Sequence, residues 1–408
     1  MLSYKKNIIF QYGLEFARYF FPFIVIPFLT RTLGADVYAV RAYILAVMTF
    51  VQVFLLFGFN SYGTREVALH DDLDTLCKLT SNIIVVRLFL CFVAAVILAV
   101  ATLFIPLLRS NPVYVLIAFI GVCFKCSLPD FIFQGKEDMG IITKRFVVSQ
   151  IVSTILIITF VRSSHDLLLI PFFEGCASFI AFAWSWYTVA KKYKIRVVTI
   201  SVKGAFSVFR QSFIYFVSNA STTIFSSLTT ILIGILISDP AEISYWSIAM
   251  TAITAVQALY SPITNSIYPY ICKTEDFKLV KKVLAVCSPI VLIGTVIYAF
   301  LADIIMLILG GQEFIDGSYV VFFSAPVLFF SFYAMVLGFP ILAAVGKIKQ
   351  LTLSSIVSAL FHIAGLLVLA VLGEFTIVHV AILRCTTEAL LAVMRAGFAS
   401  KYLQVRKA

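Results

Sequence analysis

Apolar runs of about 20 residues recur along the whole of this 408-residue chain. That is the length an α-helix needs to cross the hydrocarbon core of a bilayer. With 62% hydrophobic and 12% charged residues and a mean hydropathy of +1.04, the chain reads as an all-α integral membrane protein. A transmembrane β-barrel would show short alternating segments instead. The first run is too long, and too interrupted by charge, for a cleavable signal peptide, so it is read as the first span.

Twelve spans fit, at about 8–30, 37–60, 80–106, 112–134, 141–161, 167–190, 209–236, 242–268, 283–302, 319–345, 350–372 and 375–398. An even number places both termini on one side. Of the 31 Lys and Arg residues, 22 fall on that side and 3 (Arg31, Arg109, Arg162) on the other. The positive-inside rule therefore makes both termini cytoplasmic. The net charge of +11 is a topology signal and no nucleic-acid footprint. The outer loops are short, the longest near 303–318, which leaves no room for an external domain. The basic segment 191–208 reads as a cytoplasmic linker lying along the anionic inner leaflet. It divides the chain into six-helix lobes at 1–190 and 209–408 around a central cavity. An internal echo supports two halves: Ala35-Asp36-Val37 with Tyr38 recurs as Ala241-Glu242-Ile243 with Tyr245.

The chemistry of an enzyme is missing. No phosphate loop, zincin motif, nucleophile elbow or dinucleotide fingerprint occurs. His70, His165, His362 and His379 lack metal-ligand spacing. Asp71, Asp72 and Asp74 spell a DxD pattern, but a short charge run reads as a solvated loop face. Cys123 and Cys126 have redox-motif spacing inside an apolar run without βαβ context, and read as ordinary membrane thiols. Neither an enzymatic function nor a cofactor or metal is expected.

What the spans do carry is charge. An ionised side chain at the bilayer centre costs about 2.5–3.5 kcal/mol on insertion scales, so such residues face a bundle interior or a watery cavity. Glu15 and Arg18 are spaced i,i+3 and Arg384 and Glu388 i,i+4, so each pair can meet on one helix face, as a structural pair or as part of a pathway. Arg41 lies one turn inside a span and Arg395 near a span end, so either can snorkel. Glu174 stands in the sixth span. Arg18, Arg87 and Lys125 fall deep in three N-terminal spans, and Arg87 and Lys125 have no acid at i±3 or i±4. A cationic pocket implies an anionic guest, and the guanidinium fork suits phosphate. The C-terminal half offers uncharged donors and acceptors instead, with SNASTTIFSSLTTI at 218–231 and Gln257 in the next span. These suit sugar hydroxyls or bonds between helices. Pro22 and Pro27 free backbone carbonyls in the first span, where a helix on a cavity wall can bend.

Two stretches resemble a known family: FPFIVIPFLTRTLGADVY at 21–38 and LLFGFNSYGTREVA at 55–68. They are similar to the polysaccharide flippases, or O-antigen transporters, of the multidrug/oligosaccharidyl-lipid/polysaccharide exporter superfamily. The match falls on Pro27, Leu29, Arg31, Leu33, Gly34, Tyr38, Phe57, Gly58, Arg65 and Glu66; Ala39 stands where the family usually has glycine. The resemblance implies two lobes that alternate between inward-open and outward-open. It implies an undecaprenyl-diphosphate-linked oligosaccharide as substrate, moved to the periplasmic leaflet of a bacterial inner membrane.

Together these readings give a lipid-linked oligosaccharide flippase. Arg18, Arg87 and Lys125, then Arg41 and Arg384, are expected at the diphosphate. Asn219 and Gln257 are expected at the sugar, and Glu15, Glu174 and Glu388 as acids for H⁺ or Na⁺ coupling. Membrane lipids and polysaccharide polymerase machinery are the expected partners. A multidrug exporter of the same superfamily is the alternative, but cationic drugs call for an anionic cavity. A membrane glycosyltransferase or polymerase would need large extramembrane loops.

Overall fold

The structure, a computed structural model, describes the backbone of residues 2–199, 201–237, 239–274 and 277–404. It describes their side chains except at 2–9, 214, 217–226, 265, 266, 269, 270, 272–274, 339 and 401–404. The described residues form helices and no strand. Among the described residues, nine helical segments are long and apolar enough to cross a membrane. The first, Phe10–Leu69, covers two of the spans read from sequence. Large apolar side chains point outward along these helices, among them Leu88, Phe89, Phe92 and Phe104. Exposure on that scale suits lipid and not water. By contacts the chain divides into two compact units, Met1–Thr223 and Ile224–Ala408.

The first unit is shaped by helix breaks. Helix α1 (Leu2–Leu56) keeps helical dihedrals through Pro22 and Pro27 and leaves them at Gly34, with φ 74° and ψ 172°. Only glycine reaches that region without strain, so a single residue breaks this long helix. The next break is at Phe57 (φ 39°) and Gly58 (φ 74°), before α2 (Phe59–Leu69). A Cβ on Gly58 would lie 2.6 Å from the Ser212 carbonyl oxygen and 2.8 Å from the Phe216 nitrogen. Backbone presses on backbone there, and Phe57 stacks between Phe209 (4.6 Å) and Phe216 (4.7 Å).

Helix α3 (Leu73–Phe104) begins on Asp72, whose side chain accepts from the Thr75 N–H at 2.9 Å. The neighbouring Asp71 accepts from Lys136 at 2.7 Å, which holds its carboxyl below its ordinary range. The DxD pattern is thus a helix cap and a surface ion pair. After the short α4 (Pro106–Arg109) comes α5 (Pro112–Cys126). A break at Ser127-Leu128-Pro129 then leads to α6 (Asp130–Gly135). Helices α2 and α6 pack through glycine: a Cβ on Gly63 would meet Phe131 at 2.7 Å, and one on Gly135 would meet Val67 at 2.6 Å. Helices α7 (Met139–Phe160) and α8 (Leu169–Lys192) follow. Gly121 and Gly175 bring α5 and α8 together, the small-residue contact common between membrane helices.

The basic segment after α8 is docked. Ile195 is buried in the first unit's core. The Arg196 N–H reaches Cys77 Sγ at 3.3 Å, and the Val198 N–H donates to Ser81 Oγ at 2.9 Å. This stretch binds its backbone to α3. Just before it, Asp138 accepts from both Lys192 and the Tyr193 hydroxyl. Burial first, and then this bond, raise the Tyr193 phenol.

Helix α9 (Val202–Leu236) contains the boundary between the units. The second unit adds α10 (Pro240–Ala258), α11 (Ser261–Thr274), α12 (Lys278–Phe300), α13 (Ala302–Leu309), α14 (Ser318–Ser324), α15 (Pro326–Leu337), α16 (Ile348–Leu372) and α17 (Ile377–Gln404). A π-helical turn, Gly338–Ala343, follows α15. Arg395 fastens it: Nη1 donates to the Ala334 carbonyl at 2.6 Å, and Nη2 and Nε reach Ser355 and Ser354 at 3.0 and 3.3 Å. Arg395 therefore does not snorkel; it supplies donors to backbone and hydroxyl oxygens within the bundle.

Gly58→Ala should cost about 2–4 kcal/mol, from the left-handed strain and the clash with α9 backbone. Gly397→Ala, where a Cβ meets nothing within 4 Å, should be neutral. Thermal unfolding of the two variants in detergent checks the contrast.

Candidate functional site

The intramembrane charges sort by whether another charge answers them. Arg18 donates to Glu15 at 2.9 Å, and both side chains are about half exposed. Arg41 donates to Glu174 at 3.2 Å. Its guanidinium is buried and lies 5.8 Å from the ring centre of Tyr38, while Glu174 is 42% exposed. Arg41 is thus paired across helices and does not snorkel. Lys125 is exposed on α5.

Arg87 is different. It is 3% exposed, in α3. Its Nη1 donates to the Leu128 carbonyl at 3.3 Å, and its guanidinium lies 5.5 Å from the centre of the Phe59 ring. Nε and Nη2 are buried without a hydrogen-bond partner. The nearby carboxylate is already engaged: Asp130 accepts from Arg145 through both oxygens, at 2.7 and 3.2 Å, and Arg145 also reaches Ser185 at 2.8 Å. An isolated ion in such surroundings is costly and draws counter-charge. Among the described residues of the first unit, pairing cancels Arg18, Arg41 and Arg145 and leaves Arg87 and Lys125 unanswered by an acid.

The break between α5 and α6 collects these contacts. Leu128 faces Arg87, the Ser127 carbonyl accepts from Trp186 Nε1 at 3.1 Å, and Asp130 opens α6 on Arg145. Three helices, α3, α7 and α8, thus hold one irregular turn whose freed carbonyls need donors. Sequence reasoning counts Arg145 among the 22 cations of the cytoplasmic side and misses this cluster. The only signal was Asp130, an acid in an apolar run with no basic partner one turn away.

In the second unit, Arg384 donates to Glu388 at 2.7 Å, and both side chains are largely buried. Gln257 is half-buried near the end of α10. The Asn219 side chain lies outside the described residues. The structure therefore brings together Glu15 with Arg18, Arg41 with Glu174, and Arg384 with Glu388. No hydrogen bond or ion pair among the described residues joins Arg18, Arg87 and Lys125. A polar contact absent from the sequence reading also appears here: His362, fully buried, lies between Thr229 and Thr387.

Comparison with known proteins supplies context. A family model described as "Polysaccharide biosynthesis protein" matches residues 4–275. A protein of Escherichia coli (strain K12), named as an O-antigen transporter, is 24% identical over 404 residues, covering 97% of each chain. A Shigella dysenteriae protein of the same name is 25% identical over 321 residues, covering 78% of this chain and 80% of the relative. Among solved structures, the lipid II flippase MurJ in an inward closed conformation superposes with a TM-score of 0.74 at 14% identity, covering 97% of this chain and 87% of that one. An inward-facing multidrug-resistance MATE transporter of the MOP superfamily does so at 0.73 and 11% identity, covering 95% of each.

Breaking the Asp130–Arg145 pair should destabilise strongly, because the remaining ion is buried alone. Arg145→Met and Asp130→Asn should each cost about 3–5 kcal/mol. The double variant should cost clearly less than their sum. A double-mutant cycle on thermal or denaturant unfolding reads this directly.

Proposed function

The chain belongs to the polysaccharide biosynthesis protein family, and on that premise we propose that it is a flippase for a polyprenyl-diphosphate-linked oligosaccharide. It is a multi-pass membrane protein with the fold of the MOP-superfamily transporters. The bacterial inner membrane is its setting, and the relatives named above carry transporter names. In this reading it has twelve spans with both termini cytoplasmic, lobes at 1–190 and 209–408 and a linker at 191–208. It carries an O-antigen or similar repeat unit from the cytoplasmic to the periplasmic leaflet by alternating access. Association with polysaccharide polymerase machinery is part of the same proposal.

The observation that carries it is Arg87: a buried guanidinium with two free nitrogens and no acid of its own. Diphosphate is the guest such a fork receives best, because two oxygens accept at once and cancel the charge. In the described state Phe59 and the turn at Leu128 cover Arg87, so the turn between α5 and α6 must open for binding. Arg18 and Lys125, with exposed side chains, are the reading's further diphosphate ligands. Arg41 and Arg384 are secondary, since each is largely buried against a glutamate. Asn219 and Gln257 are assigned to the sugar. The same excess of cations disfavours a multidrug exporter, whose cationic cargo needs carboxylates. Moving about two negative charges out of an inside-negative cell gains about 2.3 kcal/mol per charge per 100 mV, less whatever the moving cations cancel.

Deletion should abolish the surface polysaccharide and strand its lipid-linked repeat unit on the inner leaflet. A normal surface glycan would overturn the reading. In complementation, Arg87→Ala should lower translocation about 10- to 100-fold, the loss of charge-assisted hydrogen bonds. Arg87→Lys should keep part of it as a point charge. Protein levels are followed by immunoblot, and Arg87→Ala transport within about twofold of wild type would remove Arg87 from the site.

A further inference from the structure

The turn Ser127-Leu128-Pro129 is made by its proline. Pro129 has no N–H to give, and the residue before a proline is pushed out of the helical region. Helix α5 therefore stops at Cys126, and the carbonyls at its end need donors from elsewhere. Two of those carbonyls are neighbours in the chain, and each accepts from a different helix. Trp186 Nε1, on α8, donates to the Ser127 oxygen at 3.1 Å, and Arg87 Nη1, on α3, donates to the Leu128 oxygen at 3.3 Å. Consecutive residues lie about 3.8 Å apart at Cα, so the two donors end on one small patch of backbone.

Both donors are of a kind that can serve an anion. A guanidinium and an indole N–H donate and do not accept. Their present acceptors are neutral carbonyls, and an indole N–H bonds about twice as strongly to an ionised oxygen as to a neutral one. Asp130, the acid next to the turn, spends both oxygens on Arg145. Arg87 keeps Nε and Nη2 buried without a partner. Trp186 stands within the last two turns of α8, and Arg145 within the first two turns of α7. The cluster thus sits near one end of these helices, at a depth that a lipid headgroup reaches from the membrane surface.

We propose that Trp186 is a second donor to the diphosphate that Arg87 binds, and that the Ser127 and Leu128 carbonyls hold both donors until it arrives. The inference rests on the flippase reading. The turn is then an internal competitor. Sugar hydroxyls and other neutral acceptors are no stronger than the carbonyls they would replace, and they leave the turn shut. A diphosphate offers two phosphoryl groups, one for each donor, and displaces both carbonyls together. A monophosphate satisfies Arg87 alone, so Trp186 supplies discrimination between the two.

The test is binding to the full chain, purified in detergent, with geranyl diphosphate and geranyl monophosphate as probes. Wild type should prefer the diphosphate. Trp186→Phe keeps a ring against Phe182, whose centre lies 6.3 Å from that of Trp186, but has no N–H. It should bind geranyl diphosphate about fivefold more weakly, while its affinity for the monophosphate does not fall. The sign separates this role from a structural one. Were Trp186 only a latch on the turn, removing its hydrogen bond would raise the binding-competent fraction, and the diphosphate would bind more tightly. Unchanged or tighter diphosphate binding by Trp186→Phe, or an equal fall for both probes, overturns the proposal; if Arg87→Ala has still lost binding, the flippase reading stands. An Arg87→Ala protein that binds as wild type does, or a wild type that binds neither probe, overturns both. A wild-type measurement serves should Trp186→Phe fail to fold. The chain has three tryptophans. In protein labelled with nitrogen-15 tryptophan, one indole N–H resonance should move downfield on adding geranyl diphosphate, and three unmoved resonances overturn the proposal.

Discussion

A charge placed in hydrocarbon has to be answered, and most of this chain's interior follows from that one constraint. Four carboxylates and four arginines meet in the membrane as pairs, two of them between different helices. Arg395 answers its charge with a carbonyl and two serines. Against that background Arg87 stands out because its nearest acid is spoken for. The same cost that makes pairing the rule makes an unanswered guanidinium a place for an anion.

Irregular backbone is the other organising element. Gly34, Phe57-Gly58 and Ser127-Leu128-Pro129 divide long apolar runs into helices that end where packing needs them to. Each break releases backbone groups that must find partners inside the bundle. Arg87 and Trp186 supply donors at one such turn. At Gly58 the break brings two main chains into contact that no side chain could separate. The residues that carry the family resemblance in this region, Phe57 and Gly58, are therefore a turn and its aromatic stack before they are anything chemical.

How much of this was legible depended on distance along the chain. Glu15 with Arg18 and Arg384 with Glu388 could be read because helical spacing puts them on one face. Arg41 with Glu174 could not, since 133 residues separate them and each alone looks like a residue near a membrane surface. Arg145, close to a span end, counted only toward the charge of the cytoplasmic side; folding reveals the carboxylate beside it. His362 was passed over because a metal-ligand search asks for other His, Cys, Asp or Glu residues, while its partners are two threonines. The apolar runs themselves were plain, yet Gly34 shows why counting spans from helices is harder: one residue of unusual dihedral angles does the work of a loop.

The π-helical turn at Gly338–Ala343 bears on how this span is read. A turn closed by i→i+5 bonds holds about one residue more than its α-helical neighbours. Side chains beyond it are rotated out of phase with those before it, by roughly the 100° that one residue sweeps in a helix. The span containing α15 thus presents one face to its neighbours above the turn and a different one below. A stripe of residues that would run straight down an unbroken helix here changes sides partway through the membrane. Arg395, fastened to Ala334 just ahead of the turn, sits beside the place where that change of phase occurs.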